Sequence, residues 1–97
     1  MSNLLQTRLL AAFPDGFIAS HTKNDWSSIT FTGERHQVCL RFEDEFRAAQ
    51  CAVAVNSEKV DVNLDDAGQL FAGAFLVETD DHDGCFYITM EIVTLND

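Results

Sequence analysis

The apolar positions of this chain change period along its length, and the changes mark out its elements. Over residues 2–13, Leu5, Leu9, Ala12 and Phe13 fall on one side at helical spacing, with Gln6 and Arg8 left to water. Ser2 can cap this helix, and Pro14-Asp15-Gly16 stops it. The period then drops to two. Phe17–Thr22 reads as a strand, and Trp26–Thr32 as a second, with Ile29 and Phe31 on one face and Ser28, Thr30 and Thr32 on the other. His36–Phe42 is a third, alternating Val38, Leu40 and Phe42 against Gln37, Cys39 and Arg41. Gly33-Glu34 suits a tight hairpin between the last two.

Residues 43–55 return to helical spacing. Glu43, Asp44 and Glu45 place negative charge at a helix start, and Phe46, Ala49 and Val53 share a face. A strand through Ala52–Val55 is the competing assignment. Three more strands are predicted: Val60–Leu64, Leu70–Glu78 and Phe86–Ile92, with turns at Asp65–Gly68 and Thr79–Gly84. The expected fold is a single α+β domain over residues 1–97. Its sheet is mainly antiparallel, with two helices, in the order α-β-β-β-α-β-β-β. No linker or low-complexity run divides it.

One strand departs from the pattern of its neighbours. Leu70–Val77 is apolar on both sides, with Phe71, Phe75 and Val77 on one and Leu70, Ala72, Ala74 and Leu76 on the other. A strand of a one-sided sheet should alternate. Either this one is central, or a second subunit covers it. A homodimer is therefore expected, with Leu70, Leu76 and the lone Trp26 as interface residues.

Charge narrows the functional classes. The net charge is -10, with only six Lys and Arg. Residues 1–59 hold seven acids and all six bases, whereas residues 60–97 hold nine acids and no base. Direct binding to nucleic acid or an anionic membrane needs the opposite sign. The N-terminal segment lacks the apolar run of a signal peptide, and no window reaches a membrane span, so a cytoplasmic protein is expected. Cys39, Cys51 and Cys85 are odd in number and widely spaced, which suits no disulfide framework or zinc signature.

Candidate chemistry is thin. Thr79–Gly84 gathers Asp80, Asp81, His82 and Asp83, but glutamate is missing where a calcium loop needs it, so a solvated hairpin is the plainer account. His36 and Cys39 are an odd number apart on a strand and point to opposite faces. His82 and Cys85 straddle a turn, and His21 has no sequence neighbour that makes a dyad. No glycine-rich phosphate loop is present. No cofactor or metal is expected.

The leading expectation is a non-enzymatic binding protein that meets a basic protein through an acidic surface. Immunity-type inhibitors and nucleic-acid-mimicking inhibitors share that economy of charge and size. Its binding acids would be Asp61, Asp65, Asp66, Asp80, Asp81 and Asp83. The first alternative is a small dimeric ligand-binding domain or enzyme, using His21, His36 or His82 in a dimer groove. The second is a structural subunit of a larger assembly, joined through the dry side of Leu70–Leu76.

Overall fold

In a computed structural model, the chain is described over residues 4–57, 60 and 68–96. The expected α+β class is what forms: two helices and a four-stranded antiparallel sheet. The elements are α1 (Leu4–Ala12), β1 (Phe17–Ser27), β2 (Thr32–Phe42), α2 (Glu45–Asn56), β3 (Gln69–His82) and β4 (Cys85–Asn96). The order across the sheet is β1-β2-β4-β3, so β2 and β4 are central. Both helices contribute to one buried cluster with Val38, Leu40, Ile88, Met90 and Ile92 of the central strands.

Among the described residues the order is α-β-β-α-β-β, with two strands in the first half where the pattern predicts three. The first two predicted strands are one. The polar run Thr22–Asp25 continues β1, pairing residue by residue with Gln37–Glu34. An edge strand can carry such a run because little of it is buried. The chain reverses at Ser28–Phe31 instead, where Ser28 N donates to the Phe31 carbonyl at 2.7 Å and Phe31 N donates to Ser28 Oγ at 3.1 Å. Gly33 therefore lies inside β2. A Cβ there would come within 1.9 Å of the Thr94 carbonyl oxygen, so only glycine fits. The predicted strand at 60–64 falls on residues outside those described, except Val60, which is buried and in no strand. Ser2 also lies outside them.

The β3–β4 turn is tighter than expected. β3 runs on through Thr79–His82, and only Asp83-Gly84 make the reversal, with φ of 54° and 77°. Positive φ at both central residues is the type I′ requirement, which Asp-Gly meets best.

β3 is an edge strand, which removes the central option. Its register slips between Phe71 and Gly73 and again between Leu76 and Glu78. These bulges regroup its side chains. Phe71, Ala74 and Leu76 turn toward the core, while Leu70, Phe75 and Val77 stay about half exposed. Bulges on an edge also spoil it as a template for further pairing.

α2 forms over nearly the predicted span, with Asp44 as its N-cap accepting from Phe46 N at 3.1 Å. Its buried face is not the one with the large side chains. Ala48, Cys51 and Val55 are buried, whereas Phe46 is 65% and Val53 62% exposed. In α1, Leu5 and Leu9 are buried as expected, but Ala12 is exposed.

Replacing Gly33 with alanine should destabilise the fold by about 3 kcal/mol, since β2 and β4 must separate locally to admit the methyl group. Urea denaturation of Gly33→Ala checks this, and an unchanged midpoint contradicts the packing described.

Candidate functional site

Two regions carry polar groups that the fold brings together from distant parts of the sequence. The first is a row of side chains on the helix-facing side of the sheet. His21 on β1 and His36 on β2 meet at 2.8 Å between His21 Nε2 and His36 Nδ1. Gln6 of α1 approaches His21 Nδ1 at 2.8 Å. With the Gln6 amide nitrogen as donor, His21 Nδ1 accepts and His21 Nε2–H donates to His36 Nδ1. The remaining His36 proton then sits on Nε2, 3.4 Å from Glu34 Oε1, too long for a well-formed hydrogen bond. Glu34 is held from two more elements. Gln69 of β3 donates to its Oε1, and Lys23 of β1 lies 2.9 Å from its Oε2.

The row is consistent with two neutral imidazoles. Burial holds His36 below the ordinary histidine value of 6.5, the adjacent His21 lowers it further, and the Glu34 charge only partly opposes this. His21 is lowered by burial and by Lys23, again against Glu34. Burial pushes the Glu34 carboxyl up, but the Gln69 and Lys23 hydrogen bonds and the Lys23 and His36 charges outweigh it and leave Glu34 low. His36 is only 4% exposed, out of reach of a substrate. The row joins α1 to three strands, with His36 enclosed and His21 part-buried at its edge.

The second region is a groove of about 320 Å³ between α2 and the far ends of β3 and β4. Its floor is apolar, from Ala48, Ala49, Ala52, Phe86 and Ile88. Glu45, Asp80 and Asp81 stand at its rim. Lys23, Arg35 and Arg47 pair elsewhere, with Glu34, Glu91 and Asp15. Arg41 lies over the Phe17 ring instead. Beyond Ala49 the outward side of α2 continues the apolar surface through Phe46, Val53 and Ala54.

The predicted site residues divide between these regions and others. Asp80, Asp81 and Asp83 are exposed together at the β3–β4 end, whereas Asp61, Asp65 and Asp66 lie outside the described residues. Glu45 joins the acids from the first half of the chain. His82 stacks on Tyr87, with ring centroids 4.6 Å apart, and is remote from the His21–His36 pair. Leu70 is exposed, Leu76 packs inward, and Trp26 is half-buried against Gly33 with its Nε1 unbonded. Cys39 faces away from His36, as the odd spacing requires. Burial pushes the Cys51 thiol up to about 12, which makes it a poor nucleophile.

The His21–His36 contact and the part of Glu45 are absent from the sequence reading. Only the register of β1 on β2 brings the histidines together, across a bulge between Ile18 and Ser20. Among the described residues, no three His, Cys, Asp or Glu side chains are grouped to hold a metal ion. Among the same residues, no helix is long and apolar enough to cross a membrane. Compared with family models, characterised proteins and solved structures, the chain matches none.

Both histidines titrate lower in the fold than in the unfolded chain, so the unfolded state binds protons first on acidification. Their full stabilising contribution is present above pH 6.5 and is lost as the pH falls through their folded values. Glu34, also lowered, acts in the same direction further down, below its ordinary 4.5. Denaturant midpoints should therefore fall between pH 7 and pH 5.5 by an amount that His36→Gln reduces and the double variant His21→Gln, His36→Gln largely removes. An equally steep decline in the double variant contradicts the assignment.

Proposed function

We propose that this protein is a non-enzymatic binding module that engages a basic protein partner through the outward side of α2 and the acidic end of the sheet. The observation that carries it is a helix with apolar residues on two sides. Ala48, Cys51 and Val55 are buried in the core, while Phe46, Ala49 and Val53 face out. Burying one large apolar side chain is worth about 1.5–3 kcal/mol. The fold forgoes that twice on one helix, and a bound partner recovers it. The acids beside this surface set the sign of the partner and hasten its approach. The unreachable His36 and the raised thiol of Cys51 favour binding over catalysis.

Zero-length carbodiimide coupling in a lysate of the source cells joins protein carboxylates to partner lysines. The recovered cross-links should concentrate on Glu45, Glu78, Asp80, Asp81 and Asp83 and should fall steeply as salt is raised. Cross-links spread evenly over the acids, or insensitive to salt, count against this function.

A second reading, homodimerisation, rests on a different surface. Leu70, Phe75 and Val77 of the edge strand β3 are each about half exposed. Sedimentation at micromolar concentration should give twice the 10.8 kDa chain mass, and Phe75→Ser should return it to one. A clean monomer in the unmodified protein removes the dimer and leaves the basic partner.

A further inference from the structure

Resting on the protein-binding reading, we propose that the groove between α2 and the β3–β4 end is the seat for a lysine-bearing apolar segment of the partner. The floor and rim of the groove ask for different parts of one side chain. Ala49, Ala52 and Ile88 offer hydrocarbon to a long stem, and Glu45, Asp80 and Asp81 offer carboxylates to its cationic head. Lysine matches both, since its stem lies along apolar surface while the ammonium reaches past it to the rim. The small side chains Ala48, Ala49 and Ala52 are what open the space.

Charge also selects between occupants. A second copy of this chain seated here would bring a second set of Glu45, Asp80 and Asp81 against the first, with no lysine or arginine from the groove to separate them. Like charges across an interface oppose association. Nor do the described residues neutralise the rim. Asp81 and Glu45 have no cationic partner among the described residues, and Asp80 has only His82, at 3.9 Å. The apolar surface continues from the groove over Phe46 and Val53, giving neighbouring apolar side chains of the same segment a place to rest.

The test uses a labelled synthetic peptide alternating leucine and lysine, with a leucine–glutamate peptide as control. Binding is followed by anisotropy, and its location by amide NMR of the full chain. Shifts should concentrate on Ala48–Ala52 and Thr79–Asp81, and the glutamate peptide should not bind. Asp81→Asn should weaken binding about fivefold, whereas Asp25→Asn, an equal loss of charge at the opposite end of the sheet, should change it less than about twofold. Ala49→Tyr fills the groove without changing charge and should also weaken binding at least about fivefold. Equal effects of Asp81→Asn and Asp25→Asn, or full binding by Ala49→Tyr, would overturn the proposal. So would a dimer of the free protein that Ala49→Tyr dissociates. Shifts confined to the outward face of the sheet would overturn the groove as the seat while leaving a protein-binding function in place, which the cross-linking test decides separately.

Discussion

The packing of the small face of α2 on the central strands is the constraint from which the rest follows. β2 and β4 present large side chains, Leu40, Phe42, Met90 and Ile92, all fully or almost fully buried. Close packing against them leaves room for Ala48, Cys51 and Val55, and little for a phenylalanine. The helix accordingly turns its small residues in and its large ones out. Phe46 and Val53 face solvent because the sheet already fills the core, and this choice creates the outward apolar surface.

The polar row beneath α1 answers a related problem. The core is rich in large apolar groups at the α2 end and turns polar toward the start of β2. There His36 and Glu34 occupy inward positions where the other half of β2 has Leu40 and Phe42. Buried polar groups need partners. Gln6, His21, Lys23 and Gln69 supply them from three other elements. The arrangement links α1 to β1 through Gln6 and His21 and sets two imidazoles side by side within the fold. It also leaves the two ends of the sheet unlike: one draws its polar groups together within the fold, the other carries exposed acids on β3.

That contrast gives the charge asymmetry a place. Along the chain the acids crowd into residues 60–97, but in space the helix start at Glu45 stands beside the strand end at Asp80 and Asp81. The negative charge at the start of α2 serves the helix dipole. The charge on β3 has no such internal use. It guards an exposed edge, as bulges and charges on edge strands do, and it borders the apolar groove.

Much of this architecture is legible in local sequence. The apolar alternation of Val38–Phe42 and Phe86–Ile92 gives two strands, because a half-buried strand must alternate, while their central place comes from the pairing across the sheet. The acids and alanines of 43–55 give α2, and Pro14-Asp15-Gly16 ends α1. Other features depend on what lies across the sheet. Thr22–Asp25 looks like a break but continues β1, because an edge strand tolerates polar residues. The two bulges of β3 change which side chains face inward, and no local period announces them. Asp83-Gly84 was the stronger hairpin signal, while Gly33 serves a close approach to β4 that only the fold reveals. Periodicity groups Phe46, Ala49 and Val53 but does not say whether that face meets the core. The sequence by itself determined the fold class, two of the strands, the helix positions and the sign of the surface. Tertiary structure decided which face of α2 is buried, that His21 meets His36, and that Glu45 joins Asp80 and Asp81. Those are distances between residues far apart in the chain, set by register and by the volume already filled in the core.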